Sequence, residues 1–162
     1  MSEFTAEDLV KRTHTHLNTY ITTADQKASI LLTAQFAFLG FYGSGVSEIW
    51  KMATPEFKLL SGLTIASGLI AAVLAGLVVY PRSPKGGEEG LVFWESIIRK
   101  TQSEFEHDVS KLDDENALRE LIEQNHSLAK VADKKYRFMR YALITTAIMM
   151  GLAAASTSIY FT

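Results

Sequence analysis

The stretch that decides the fold is TTADQKASILLTAQFAFLG, Thr22 to Gly40. It begins polar, carries Asp25 and Lys27, and then runs to its end without another charge. No Asp, Glu, Lys or Arg occurs over the 20 residues 28–47. A bilayer core about 30 Å thick is crossed by about 20 helical residues. The stretch is therefore predicted to be the point at which a helix enters a membrane.

Two further segments lack charged residues, the 23 residues 59–81 and the 22 residues 141–162. Buried helices of soluble domains rarely continue that far without one charge. A soluble bundle is the alternative, but a chain of 162 residues has nothing left to cover three wholly apolar helices. We predict an all-α integral membrane protein, a helical bundle with three transmembrane helices that extend into the cytoplasm.

Composition narrows the possible functions. Lys and Arg number 16 against 18 Asp and Glu, and this balance argues against binding to duplex nucleic acid. The absence of cysteine excludes disulfides, thiol catalysis and Cys-ligated zinc. No phosphate-binding loop, nucleophile elbow or dinucleotide fingerprint occurs, so no enzyme activity and no cofactor is predicted. Two Glu-x-x-His pairs lack the matching glutamates of a di-metal bundle, so no metal site is expected.

The distribution of basic residues predicts the orientation. Fourteen of the sixteen Lys and Arg residues fall within 1–27 and 81–140, on one side of the predicted membrane. The positive-inside rule places that side in the cytoplasm and the C-terminus in the periplasm of a bacterial inner membrane. The predicted segments are an N-terminal cytoplasmic helix over 1–27, transmembrane helices over 28–47, 59–80 and 141–162, an external loop over 48–58 and a cytoplasmic helical region over 81–140.

Capping residues predict where the helices begin. Thr5, with Asp8 three residues later, predicts a start whose helix continues into the first crossing. Pro55, directly after Thr54, is typical of a helical first turn. The sequence LDDEN predicts a turn, with Asp113 or its neighbour capping the last helix, while helical pattern is expected from LVFWESIIRK to about residue 112.

The second crossing carries Gly68, Ala72 and Gly76 at four-residue intervals. Such spacing allows helices to approach closely in lipid. It is equally typical of an ordinary alanine-rich membrane helix, and both interpretations stay open.

Basic and aromatic residues of the predicted cytoplasmic part suggest a site for an anionic ligand. Arginine and lysine side chains bind phosphates, and aromatic rings stack on bases. The alternative is that these basic residues set the topology and meet lipid headgroups. The candidate ligand-binding residues are Arg12, Lys27, Trp94, Arg99, Lys134 and Lys135.

Several short motifs resemble one family in their order along the chain. TADQKAS precedes the first crossing, VVYPRSP ends the second, LVFWESI follows it, and LAKVADKKYRFMRYAL leads into the third. This pattern is similar to that of the Pycsar-type transmembrane effectors and of Hailong-type effectors. The resemblance implies an antiphage defence effector without enzyme activity that permeabilises the inner membrane and causes abortive infection. It also implies control by a cyclic nucleotide or an oligonucleotide, made by a partner cyclase or nucleotidyltransferase.

Three helices of one chain do not enclose an aqueous pore, so a channel requires a homo-oligomer, and we expect a tetramer. We expect the first transmembrane helix to line the pore, because Thr33, Gln35 and Ser44 place polar groups there. Phe36, Phe38 and Leu39 are expected to form an apolar gate. The rival lining is helix 3, through Thr145, Thr146 and Ser156. A non-conducting membrane scaffold, or an accessory subunit of a larger complex, is the alternative function.

The charges in the opening stretch are expected to meet partners at the membrane edge. Asp25 and Lys27 lie two residues apart on a helix and point in different directions. We expect Asp25 to form a structural clasp with the third transmembrane helix, through Lys134, Lys135 or Arg137. The alternative is that this contact is a latch that a signal releases. Lys27 is expected to meet a headgroup or a nucleotide phosphate.

Overall fold

The computed structural model describes residues 4–80, 91 and 94–161, and this part of the chain is all helical. The helices are α1 (Ala6–Ile49), α2 (Pro55–Val79), α3 (Trp94–Ile98), α4 (Gln102–Ser110) and α5 (Asp114–Tyr160). Among the described residues, α1, α2 and α5 are long and apolar enough to cross a membrane. This confirms an all-α chain with three candidate membrane-spanning helices.

The helix starts form as their capping residues predict. At α1 the backbone N–H of Asp8 donates to Thr5 Oγ1 at 3.2 Å, and that of Thr5 donates to Asp8 Oδ2 at 3.1 Å. The hydrogen bonds that the Thr5 backbone N–H and hydroxyl donate to Asp8 Oδ2 lower the pKa of Asp8. Thr54 caps α2, which has a proline in its first turn. At α5 the capping residue is Asp113, whose Oδ1 accepts from the N–H of Asn116 at 2.8 Å.

The sequence predicts a continuous helical pattern up to about residue 112, whereas the structure has two separate helices there. Helix α3 ends at Ile98, and α4 begins with a capping box. Thr101 N–H donates to Glu104 Oε2 at 2.8 Å, and Glu104 N–H donates to Thr101 Oγ1 at 3.3 Å. Thr101 satisfies otherwise unpaired backbone N–H groups at a new helix start, which makes an interruption stable there.

The chain divides into two compact units. Residues 1–22 and 81–134 form the first, here called the charged unit, and residues 23–80 and 135–162 form the second, here called the apolar unit. The three long uncharged segments of the sequence fall in the apolar unit, apart from Pro81 at the end of the second.

In the apolar unit, α1 and α5 run parallel. Three hydrogen-bonded pairs join them: Asp25–Lys135, Gln35–Thr146 and Tyr42–Ser156. The separation within these pairs stays nearly constant, at 110, 111 and 114 residues. A constant difference in residue number arises only when two helices point the same way. This is the arrangement that a first and a third crossing of one membrane require.

Helix α2 runs antiparallel to both neighbours and packs through small residues. Seven of its eight buried positions alternate by four and three residues, at 57, 61, 64, 68, 71, 75 and 78, and Ala72 is the eighth. An average spacing of 3.5 residues keeps one face towards its partners. Gly68 is the closest approach, because a Cβ there would lie 2.6 Å from Leu39 Cδ2 and 2.8 Å from Met149 Sδ. A Cβ on Gly76 would meet nothing within 4 Å, so the four-residue stripe of the sequence holds only at Gly68 and Ala72.

In the charged unit, a buried asparagine joins the first part of α1 to the first part of α5. Asn125 Nδ2 donates to the carbonyl of Val10 at 2.9 Å, and Asn125 Oδ1 lies 3.1 Å from His14 Nδ1. Since Val10 offers only an acceptor, the Asn125 amide orientation is determined, and His14 must donate from Nδ1. Buried asparagines of this kind select one register between parallel helices.

Candidate functional site: polar layers in the apolar unit

The first polar group of the apolar unit, here called the edge layer, consists of Asp25, Lys135 and the carbonyl of Val78. The Lys135 ammonium donates to Asp25 Oδ1 and, at 2.6 Å, to the carbonyl oxygen of Val78. Val78 lies in the last turn of α2, where carbonyls have no donor within the helix and carry partial negative charge. The residue three positions later, Pro81, has no N–H to offer. Lys135 therefore ties all three helices together.

The two charges of the edge layer are unequally buried. The Lys135 side chain is 5% exposed, whereas that of Asp25 is 34% exposed. Around them Ala24, Ala28 and Met139 pack into one buried cluster with the Val78 side chain. The small alanines allow α1 to approach its neighbours closely enough for direct hydrogen bonds. Lys135 thus depends on its two protein acceptors, because water has little access to it.

The middle layer consists of Gln35 and Thr146. Gln35 is 1% exposed, and its Nε2 donates to Thr146 Oγ1 at 2.6 Å. The Thr146 hydroxyl donates in turn to the carbonyl of Ala142 at 2.7 Å. Gln35 Oε1 is buried without a hydrogen-bond partner in the described part of the chain. If the amide is turned round, Nε2 loses its partner instead, so one polar atom stays unpaired in either orientation.

The third layer consists of Tyr42, Ser61 and Ser156, one residue from each long helix. The Tyr42 hydroxyl lies 3.1 Å from Ser61 Oγ and 2.6 Å from Ser156 Oγ. Both serines are fully buried. A tyrosine hydroxyl has one proton and two acceptor positions, which suits a bridge between two hydroxyls. The layer satisfies polar groups that lipid cannot satisfy.

The four residues expected to form the pore and gate do not share one face of α1. Gln35 is buried inside the subunit, while Phe36 is exposed. Phe38 is half-buried and its ring stacks on that of Tyr42, with centroids 5.7 Å apart. Leu39 contacts the face of α2 at Gly68, as described above. Their joint role in a gate stays a prediction.

The lysine that holds Asp25 is Lys135, whereas Lys134 is exposed. Neighbouring residues of a helix point about 100° apart, so only one of two adjacent lysines can face α1. Lys135 was expected to bind ligand, but its ammonium already has two protein acceptors. Arg137 is exposed. Its predicted part in the clasp stays a prediction.

The other predicted ligand-binding residues lie in both units. Arg12, Arg99 and Lys134 are exposed residues of the charged unit, and Lys27 is an exposed residue of the apolar unit. The Arg12 guanidinium lies 5.1 Å from the centroid of the Phe4 ring. Trp94 is the first residue of α3, and its side chain lies outside the described part. A ligand site made from these residues stays a prediction.

The charged unit has an open cavity of about 330 Å³ between α4 and α5. Its charged lining residues are Asp108, Lys111, Arg119, Glu120 and Glu123. Three carboxylates against two cations do not favour a phosphate group. Asp108 also accepts from Lys100 at 2.8 Å, and this hydrogen bond lowers the pKa of Asp108. None of the predicted ligand-binding residues lines this cavity.

The third layer and the role of the Val78 carbonyl were not predicted from the sequence. The spacing of residues in α5 could have predicted part of the third layer. Positions 135, 139, 142, 146, 149, 153 and 156 alternate by four and three residues. This spacing places Lys135, Thr146 and Ser156 on one helix face, although Lys135 was assigned to ligand binding and the two hydroxyl residues to the rival pore lining.

Comparison with known proteins gives one family. A family profile described as "Pycsar effector protein domain" matches residues 9–162. The Pycsar effector protein of Staphylococcus aureus is 30% identical over 142 residues, which cover 88% of this chain and 88% of that relative. No solved structure matches the chain.

Proposed function

The chain belongs to the Pycsar effector protein family of antiphage membrane effectors, and from this premise we propose that it forms an oligomeric inner-membrane channel opened or closed by a nucleotide signal. A cyclic nucleotide made by a partner cyclase is the signal that the family implies, and an oligonucleotide from a nucleotidyltransferase is the variant. Flux through the channel depolarises the membrane and ends phage replication in an abortive infection.

One observation carries the channel proposal. Gln35 lies in the uncharged segment 28–47 of a helix long enough to span a membrane, and it is 1% exposed with one polar atom unpaired. A polar group in that position costs free energy unless the protein uses it, and such residues typically mark the paths of ions or substrates. A helix that served only as an anchor would gain stability from leucine at this position.

The proposal includes a symmetric assembly, with four copies as the expected number. One helix from each copy lines the path, and the phenyl rings of Phe36 and Phe38 with the side chain of Leu39 close it by excluding water. The N-terminus and residues 81–140 lie in the cytoplasm, where the signal is made. The C-terminus lies in the periplasm.

In this proposal the edge layer is the element that the signal acts on. Lys135 holds Asp25 of α1 and the end of α2 at once. A ligand shifts a closed state towards an open one only if it binds the two with different affinity. In the charged unit the exposed cations Arg12, Arg99 and Lys134, with the ring of Trp94, would supply that affinity for a phosphate and a base. In the apolar unit the exposed Lys27 would supply it for a phosphate. Lys27 lies two residues from Asp25 on α1. A phosphate bound to Lys27 would therefore act on the same helix that the edge layer holds.

Ion flux from liposomes tests the proposal. Purified protein is reconstituted, its oligomeric state is verified by crosslinking, and release of a trapped fluorescent ion indicator is followed with cyclic CMP, cyclic UMP or a short oligoadenylate. We expect one of these to change the flux of the wild type and to leave Gln35→Leu without response. The matched control is Gln26→Leu, since Gln26 is exposed on the same helix.

Absence of flux in a verified oligomer, with every nucleotide and with none, contradicts the channel. If the protein is also harmless when overproduced in cells, the non-conducting scaffold becomes the better hypothesis.

A further inference from the structure

We infer that water and ions cross the apolar unit along the seam between α1 and α5, and that the Gln35 amide is a buried hydration site on that path. The seam is the line of contact marked by the edge, middle and third layers. This inference rests on the proposed channel and names where it conducts. It replaces the lining by one helix of each copy, and the closure by Phe36, Phe38 and Leu39, with a path that opens between α1 and α5 as these helices separate within the assembly.

The three layers are spread over most of a membrane's thickness. On α1 they stand at Asp25, Gln35 and Tyr42, ten and seven residues apart. At about 1.5 Å per residue these intervals are about 15 and 10 Å. Their sum approaches the thickness of a bilayer core, about 30 Å. A water molecule moving along the seam meets a polar partner at intervals of about 10 to 15 Å.

The outward face of α1 offers water much less. Thr33 Oγ1 donates to the carbonyl of Ser29 at 3.0 Å, so this hydroxyl is satisfied within its own helix. Ile30 and Phe41 are large, apolar and exposed on that side, as a lipid-facing surface requires. Gln35, in contrast, keeps a buried polar atom without a partner. Water is the smallest donor or acceptor that can satisfy either end of the amide in an apolar surrounding.

The parallel arrangement of α1 and α5 places the three layers along one line of contact. Since the two helices keep one register, a small separation between them uncovers all three layers together. Lys135 closes one end of the seam through Asp25 and the Val78 carbonyl. Opening therefore requires Lys135 to exchange these acceptors for water, which links the edge layer to hydration of Gln35.

Accessible thiols test the path directly, because the chain has no cysteine of its own. Thr146→Cys and Ser156→Cys place a thiol on the seam, in place of a hydroxyl of similar size. Thr33→Cys and Ser44→Cys do the same on the outward face, where both residues are exposed, and serve as matched controls. Each variant is reconstituted into liposomes with a cationic methanethiosulfonate reagent on both sides of the membrane. Modification is measured by intact mass, and flux is measured in the same liposomes.

We expect flux-activating cyclic CMP or cyclic UMP to speed modification of the seam thiols by about tenfold or more, since only a thiol in contact with water ionises and reacts. The outward thiols should react at the same slow rate with and without nucleotide. Modification at the seam should also block flux. Two seam positions are used so that one variant that fails to fold leaves the other as the test.

Three outcomes would overturn the inference. Flux with fast modification of Thr33→Cys and Ser44→Cys, and slow modification of the seam thiols, leaves the channel intact but moves the path to the outward face. Flux with no modification at any of the four thiols places the path elsewhere. Absence of both flux and modification contradicts the proposed function and the inference together.

Discussion

Replacing Asp25 by asparagine should destabilise the apolar unit more than replacing its partner Lys135 by methionine. Asp25→Asn leaves an ammonium whose side chain is 5% exposed with only the Val78 carbonyl as a strong acceptor. Lys135→Met leaves a carboxylate whose side chain is 34% exposed, which water can still reach. The two substitutions should therefore differ in cost, because the two charges of the ion pair are unequally buried.

The expected magnitudes follow from this asymmetry. Removing one partner of a fully buried pair costs about 3–5 kcal/mol. Partial exposure of Asp25 screens the pair, so we expect Asp25→Asn to cost about 2–3 kcal/mol and Lys135→Met about 1–2 kcal/mol. The double variant should be more stable than Asp25→Asn, because the unpaired buried ammonium is then absent. The coupling energy must then exceed the cost of Lys135→Met, and about 2–3 kcal/mol should result.

The free energy of unfolding can be measured by circular dichroism in mixed micelles with increasing dodecyl sulfate. Lys27→Met is the control, because Lys27 is exposed on the same helix and its loss should change stability by less than about 0.5 kcal/mol. Equal destabilisation by the two single variants, or a double variant less stable than Asp25→Asn, would refute the argument from unequal burial.

Three further predictions use other contacts. Gly68→Ala should lower the free energy of unfolding by about 1–3 kcal/mol, because the added methyl group overpacks the contact with Leu39 and Met149. Gly76→Ala should leave this free energy unchanged or raise it by up to about 1 kcal/mol. Equal effects of the two substitutions would contradict the packing of α2. Tyr42→Phe should cost about 0.5–2 kcal/mol in the same assay, as one hydrogen-bonded bridge in a membrane is lost, and no change would show that the third layer contributes nothing. In the charged unit, carboxyl titration by NMR should give Asp108 a pKa below its ordinary 3.8, and Lys100→Gln should raise it. Because the folded-state pKa is lowered, this pair stabilises the fold above the ordinary pKa and is lost as the pH falls through the lowered one; a pKa unmoved by Lys100→Gln would exclude the pair in solution.

Much of the fold follows from features that are local in the chain. A run of about 20 residues without charge predicts a membrane-spanning helix wherever it stands, because a charge in lipid is costly. Thr5, Thr54 and Asp113 predict helix starts because a cap acts on the N–H groups of the next turn. The start at Thr101 was missed, although Glu104 follows it at the spacing of a capping box. The residues on both sides of Thr101 keep a helical pattern, so the interruption between α3 and α4 was not predicted.

Local features of the sequence do not predict which face of each helix packs against protein. Lipid tails are as apolar as leucine, so hydropathy along a chain does not separate a residue that faces lipid from one that faces protein. Gln35 was identified as special from its type alone, but only packing shows that it points to Thr146 inside the subunit. In the same way, residue type does not distinguish Lys134 from Lys135. The rotation of α5 against α1 buries one and exposes the other, because a helix turns about 100° between neighbours. Sequence alone determined the three candidate membrane-spanning helices and the residues that cap their starts. Tertiary structure decided which polar groups meet, since that depends on partners about 110 residues away.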